Sequence, residues 1–404
     1  MSKRPVKTAM SLNTSRYVNR DEVRGYCQAM EASGVVDQLT VYDQPTSWLP
    51  DALWTPDVTP LANALPDLDS AGAPLEMCAY ASAVAPSVGT AVSIDATRRG
   101  PVEMFQSMLT LSNLTQGNST FMIGAGEKKQ FEPFGWKRRE GLKRFEDSFK
   151  IWQLLWENEG PINFEGNIWN LQNAWIGDAK PYRPRIYGLG GGPKLMDITT
   201  SYADGFSTMN PITGPLVDTP ERFAETVIKV KQELERKGRD PEEFDFSVWA
   251  LTLMHDDEGL VEAAVENPLI KFYAAYGGRL DQKDWREFGI DPVFPDDWHY
   301  ASGRGWGKEM KPDSYWWLWS REQCDEVVRR TSHEMSEKSW MLGTPEKIAA
   351  ECQDYVDAGA NHIIICDIMS HLLPMEEQLG VVERCLRVCG DLKGKKVKTP
   401  TTVA

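Results

Sequence analysis

Short runs rich in β-branched and aliphatic residues recur along the chain, and between them apolar positions return every three or four residues. The runs at 6–13, 37–43, 89–96, 119–126, 185–190, 205–209, 245–255 and 362–368 read as eight strands. In the segments between, Phe145, Phe149, Trp152 and Trp156 fall on one helical face, as do Phe223, Val227, Val230 and Leu234. Thr219-Pro220 and Thr344-Pro345-Glu346 read as helix starts, an N-cap hydroxyl followed by proline where its missing N–H costs nothing. Eight strand–helix alternations predict an α/β fold in which a parallel sheet closes into a (β/α)8 TIM barrel; an open doubly wound sheet is the alternative.

Two stretches break the rhythm. Residues 44–74 carry Pro, Trp and Asp with little periodicity, as a long insertion after the second strand would. Residues 265–340 exceed what one crossover between strands seven and eight needs, and hold Trp285, Trp298, Trp306, Trp316, Trp317 and Trp319. Long insertions in a barrel decorate the face where chemistry occurs, so this Trp-rich segment is expected to form an apolar lid. A dimer interface or plain core would use the same residues. Residues 1–390 are expected to be one barrel domain, and 391–404, with Lys393, Lys395, Lys396 and Lys398, a basic flexible tail.

Composition narrows the function classes. A formal charge of −15 over 404 residues disfavours nucleic acid and anionic membrane as partners. The seven cysteines are scattered with no CxxC pair, which supports neither a disulfide framework nor a zinc knuckle and fits a reducing cytoplasm. The basic start runs into no apolar segment, and no stretch approaches 18 apolar residues, so a soluble cytoplasmic protein without membrane insertion is expected. The five histidines show neither HxH nor HExxH spacing, so no metal is expected, and His362 inside an apolar strand reads as core. No GxSxG elbow is present.

Catalytic groups of a barrel come from the C-terminal ends of its strands. The first strand end, "AMSLNTSRY", offers Ser11, Asn13 and Thr14. The second, "LTVYDQPTSW", offers Asp43, Gln44 and Trp48. The third, "GTAVSIDATRRGP", offers Ser93, Asp95, Arg98 and Arg99, and the fourth, "FMIGAGEKKQFEPFG", offers Gly124, Gly126, Glu127 and Gln130. Asp43 could equally cap the next segment, and the arginines could be a solvated pair. The fifth ends in "GLGGGPK", where Gly188 and Gly190–Gly192 precede Pro193 and Lys194. A glycine-rich turn opening a helix exposes backbone N–H groups at the positive end of the helix dipole, which suits an anion. Clearance between helix and strand is the other reason for such glycines.

In their order, these blocks resemble the luciferase-like superfamily of flavin- and coenzyme F420-dependent oxidoreductases. "VDQLTVYDQPTSW", "GTAVSIDATRRGP", "FMIGAGEKKQFEPFGWKRREGLKRFEDSFKIWQLLW", "PRIYGLGGGPKLMDITTSYADGF" and "LGTPEKIAAECQDYVDAGANHIII" carry the resemblance. It is strongest to the F420-dependent phthiodiolone ketoreductase-like branch. The resemblance implies that Asp43, Gln44, Ala91, Val92, Ser93, Ala125, Gly126, Glu127, Gln130 and Met209 line the ring of a bound F420, or alternatively FMN. Ala91–Val92 would be a cis peptide behind that ring, and Leu189, Gly190, Gly191, Gly192, Pro193 and Lys194 would hold the phosphate. Trp48, Glu127 and Gln44 would stand at the hydride-transfer centre. Gln44 replaces the family's histidine and cannot carry a proton near neutral pH, which leaves Glu127 as the first candidate proton carrier. The implied function is hydride transfer between F420 and a carbonyl, alcohol or activated C=C of a bulky apolar small molecule, by a homodimer. An FMN-dependent monooxygenase and a cofactor-free binding relative are the alternatives.

Overall fold

The computed structural model describes residues 5–210, 218–278, 282–299, 301, 303, 305 and 315–393. Eight parallel strands close on themselves. They are β1 (Lys7–Ser11), β2 (Gln38–Tyr42), β3 (Gly89–Asp95), β4 (Ser119–Gly124), β7 (Arg185–Leu189), β8 (Gly205–Asn210), β9 (Asp245–Met254) and β11 (His362–Asp367), and β11 pairs back onto β1. Helices follow the strands, so the (β/α)8 barrel is present and each of the eight strands lies where the apolar runs placed it. Both proline-led helix starts are real: Thr219 accepts from the Arg222 N–H and Thr344 from the Lys347 N–H. On the helix Gly141–Glu157, Phe145, Phe149 and Trp152 are buried, each contributing about 2–3 kcal/mol of apolar burial.

Strand alternation sorts the side chains into barrel interior and helix-facing sets. Interior residues near the strand starts form a polar plug. Asp245 accepts from Tyr187 Oη (2.8 Å) and Asn361 Nδ2 (2.7 Å) and is paired with Arg185, while Ser247 Oγ meets His362 Nδ1 at 3.0 Å. Burial pushes the His362 imidazole down to about 4, so it is the neutral core histidine its strand context implied.

The helix-facing end of β11 carries a less comfortable group. Asp367 Oδ1 accepts from Thr252 Oγ1, Met254 N and Met369 N, and Oδ2 is buried without a hydrogen-bond partner. Burial raises its carboxyl from 3.8 to about 7 against those bonds and the charge of Arg384. A raised acid stabilises the fold below the unfolded pKa and loses that contribution as pH rises through the folded one. Asp367→Asn is therefore expected to gain stability relative to wild type as pH rises from about 4 to 8, by on the order of 4 kcal/mol across that window. Parallel denaturation curves at pH 4 and pH 8 test this; a pH-independent difference would show that Asp367 ionises normally.

Several elements depart from the simple alternation. β5 (Ile162–Glu165) and β6 (Asn170–Ala174) form an antiparallel hairpin between the fourth and fifth barrel strands. Its turn is tied to the buried Asp147 carboxylate, which accepts from the N–H groups of Asn167, Ile168 and Trp169. A short β10 (Met341–Gly343) pairs with the end of β9. The insertion after β2 is packed rather than loose: Leu53, Trp54, Val58, Leu61 and Leu65 are buried, with Trp54 Nε1 donating to Leu65 O at 2.6 Å.

In the second insertion, Trp285 and Trp298 are fully buried, and Trp298 stacks on Phe294 with centroids 4.4 Å apart, so these two serve as core. Trp306 and the side chain of Trp316 lie outside the described residues, as do Lys395, Lys396 and Lys398. The last helix, Gln378–Leu392, ends on a buried Leu392, and Lys393 pairs with Asp37. No helix among the described residues is long and apolar enough to cross a membrane.

Candidate active site

The interior positions at the C-terminal ends of the strands form the barrel mouth. Tyr42, the last residue of β2, points inward after Gln38 and Thr40. Its ring lies 5.1 Å from that of Trp249 on β9, and its hydroxyl sits 2.7 Å from Ser11 Oγ and 2.9 Å from Cys366 Sγ. Met209 on β8 is beside Trp249 in register. All seven cysteines are unpaired and buried, and no cluster of three metal-ligating side chains occurs among the described residues.

Above this floor stands Trp48. Its ring meets Tyr42 edge-on at 6.2 Å and Tyr273 at 5.9 Å, and Tyr273 in turn packs 4.9 Å from Trp340. The Trp48 indole N–H reaches Glu127 Oε2 at 3.4 Å, joining two residues 79 positions apart. The loop carrying Trp48 is gripped from below. Gln130 Oε1 accepts from the Thr46 N–H and hydroxyl, and Gln130 Nε2 donates to Thr46 O at 2.7 Å. Lys129 is buried with Nζ on Ser47 O, while the Ser47 N–H donates to Asp69. Burial pulls the Lys129 ammonium down to about 7 against the opposing pull of Glu127 and Asp69. The Gln130 amide thus fixes the Trp48 loop through the Thr46 backbone.

Gly126 makes this turn possible. Its φ of 84° is the left-handed region, and a Cβ there would lie 1.6 Å from the Phe131 ring. Ala125 is buried next to it, and Gly141 closes against the Ala125 carbonyl. The insertion reaches this loop as well: Ala301 O accepts from Lys128 N (2.9 Å) and Arg138 Nε (3.2 Å).

Asp43 turns away from the interior into a buried charge cluster. Its carboxylate pairs with Arg98 at 2.8 Å and with Arg99, and Arg98 also holds Asp95 at 2.5 Å. Asp43, its side chain 6% exposed, serves an ion-pair cluster rather than a cap, and Arg98, 8% exposed, is no solvated residue, while Arg99 keeps 28% of its side chain exposed. The Asp43 N–H donates to Ser93 O at 2.8 Å, which ties the cluster to β3, where Ala91 and Val92 are fully buried. Gln44, partly buried, leads from the cluster toward Trp48.

The fifth strand end separates the two reasons for its glycines. Gly188 is there for packing, because a Cβ would lie 1.9 Å from Thr199 Oγ1 on the following helix. Gly192 is not: it is the N-cap of the helix Pro193–Tyr202, a Cβ there meets nothing within 4 Å, and no side chain caps the helix. Gly190 donates to Ser207 O, Lys194 is exposed, and Leu189 lies in register with Gly124. The first turn has no side-chain cap and its Gly192, Pro193 and Lys194 are exposed, a surface that fits a phosphate.

The chain matches the luciferase-like monooxygenase family over residues 48–362. It belongs to that family. Within it, the chain is 29% identical over 337 residues to the phthiodiolone/phenolphthiodiolone dimycocerosates ketoreductase of Mycobacterium kansasii, covering 81% of this chain and 86% of the relative. It is 26% identical over 282 residues to an F420-dependent glucose-6-phosphate dehydrogenase of Kineococcus radiotolerans, covering 69% and 71%. A solved F420-dependent secondary alcohol dehydrogenase, in complex with an F420–acetone adduct, shares the fold with a TM-score of 0.61 at 16% identity, over 94% of this chain and 99% of that one. The relatives are oxidoreductases, and the chain is an enzyme of that class.

Sequence reasoning found Trp48 and Glu127, which the fold joins. It missed Tyr42, Tyr273 and Lys129. Tyr42 was reachable from the inward alternation Gln38, Thr40, Tyr42, whereas a lysine next to another lysine carries no signal that it is buried.

Proposed function

We propose that this chain is a coenzyme F420-dependent oxidoreductase acting on a carbonyl/alcohol pair or an activated C=C of a bulky apolar small molecule. The observation that carries the reading is the Trp48–Glu127 contact at the same barrel mouth as the open helix start at Gly192. The names of the M. kansasii and K. radiotolerans relatives support it.

Leu189 to Lys194 would hold the cofactor phosphate through backbone N–H groups and the Lys194 charge. Ala91, Val92, Ser93, Ala125, Gly126 and Met209 would flank the ring. Asp43 and Gln130, engaged by Arg98, Arg99 and Thr46, would keep those walls in place. When bound, a deazaflavin held there would supply the hydride. Trp48, Gln44 and Glu127 would orient the substrate oxygen, and Tyr42, Trp48, Tyr273 and Trp340 form an aromatic wall suited to an apolar substrate and to excluding water.

The test is binding followed by turnover. Titration with F420 is expected to quench its fluorescence at micromolar concentration, and reduced F420 is expected to be oxidised by an apolar ketone. Retained FMN with NADH-driven oxygen uptake would replace this reading with that of a flavin monooxygenase. Binding of neither cofactor would favour a non-catalytic relative.

A further inference from the structure

We propose that Tyr42 is the residue that hands a proton to the substrate oxygen, and takes it back in the reverse direction. The inference rests on the hydride-transfer reading above. Reduction of a carbonyl leaves negative charge on oxygen, and some group at the barrel mouth must supply a proton. Gln44 has none to give. Glu127 Oε2 is engaged as an acceptor by the Trp48 indole N–H. Lys129 is turned to the Ser47 carbonyl beneath the loop.

Tyr42 carries a hydroxyl proton and stands at the same wall. It occupies the inward register position at the end of β2, it is only partly buried, and its ring edge touches Trp48, so it belongs to the wall the substrate would meet. Its hydroxyl lies between Ser11 Oγ at 2.7 Å and Cys366 Sγ at 2.9 Å, and either atom of each pair can be the donor. Such a chain can reverse its polarity without moving a heavy atom. Burial of the hydroxyl, the Cys366 thiol and their hydrogen bond push Tyr42 well above its ordinary range, so it stays protonated at neutral pH.

The step balances. The carbonyl carbon gains the hydride, whose source by class is the reduced deazaflavin, and the C=O π pair moves onto oxygen. The new O–H bond forms as the Tyr42 O–H bond breaks, and the phenolate recovers a proton from the Ser11 hydroxyl or Cys366 thiol, which re-equilibrates with water. Oxidation of an alcohol runs the same transfers backwards.

Tyr42→Phe keeps the ring and its contacts with Trp48 and Trp249 and removes only the hydroxyl. With wild type turning over an apolar ketone, the variant is expected to lose about 100-fold in kcat, in the range of a general acid, with KM within about threefold. The solvent deuterium isotope effect on kcat should change, while F420 affinity by fluorescence quenching and thermal melting stay at wild-type values. Ser11→Ala, which interrupts only the reprotonation arm, is expected to lose about tenfold and to keep the wild-type F420 affinity. A Tyr42→Phe enzyme with kcat within about threefold of wild type and an unchanged isotope effect overturns the assignment, as does a loss confined to KM or to F420 affinity. Wild-type protein that binds F420 but turns over no ketone or alcohol in either direction removes the hydride-transfer reading itself, and the Tyr42 role with it.

Discussion

Asp43→Asn is expected to destabilise the protein by about 3 kcal/mol, the low end of the range for removing one partner of a buried ion pair. The cost arises because Arg98, 8% exposed, and Arg99 lose the carboxylate that both address. It falls at the low end because Arg98 keeps Asp95 at 2.5 Å, and Arg99, 28% exposed, can turn toward water. Chemical denaturation of the two proteins measures the difference. Adding Arg99→Gln to Asp43→Asn should change stability further by less than about 1 kcal/mol, because the charge left behind is then gone. A single variant within about 0.5 kcal/mol of wild type would show that the cluster is a neutral arrangement rather than a buried charge centre.

Gly192→Asp is expected to separate folding from binding. The position has φ −66° and ψ 142°, which any residue adopts, and its Cβ direction is open. An aspartate there can cap the helix Pro193–Tyr202 with its own carboxylate, adding a few tenths of a kcal/mol relative to glycine. The same carboxylate occupies the N–H groups offered to a phosphate and repels it, so F420 affinity should fall at least about 100-fold while melting stays level or rises. Gly192→Asn caps without charge and should lose about tenfold. Unchanged affinity in Gly192→Asp would place the phosphate elsewhere on the barrel mouth.

These two positions show how unevenly the site could be read before folding. Gly192 sits in a local motif whose meaning depends on a turn and the helix after it, so "GLGGGPK" could be read as a candidate anion-binding helix start, with helix–strand clearance as the other reason for its glycines. Even there, the chain could not apportion its glycines. Gly188 serves packing against Thr199 and Gly192 serves openness, a distinction that needs the neighbouring helix in place. The chain offers Asp43 as a ring contact or a cap, and its arginine partners, 55 and 56 residues away, meet it only in the fold. Lys129 carries no local sign of its burial for the same reason: the Ser47 carbonyl that accepts from it belongs to a distant insertion.

The order and type of the barrel strands follow from the chain alone, because burial on one face imposes a period of two or 3.6 on the residues themselves. The hairpin β5–β6 escaped that logic. Its segments, "INFE" and "NLQNA", bury little, and Asp147 organises its turn from the neighbouring helix. The residues that touch across the barrel mouth belong to the closed structure. Closure sets β11 beside β1, and so brings Cys366 to Tyr42 over 324 residues of separation, as the insertions bring Tyr273 to Trp48. A side chain's periodicity records which way it faces, and no local pattern records what stands opposite.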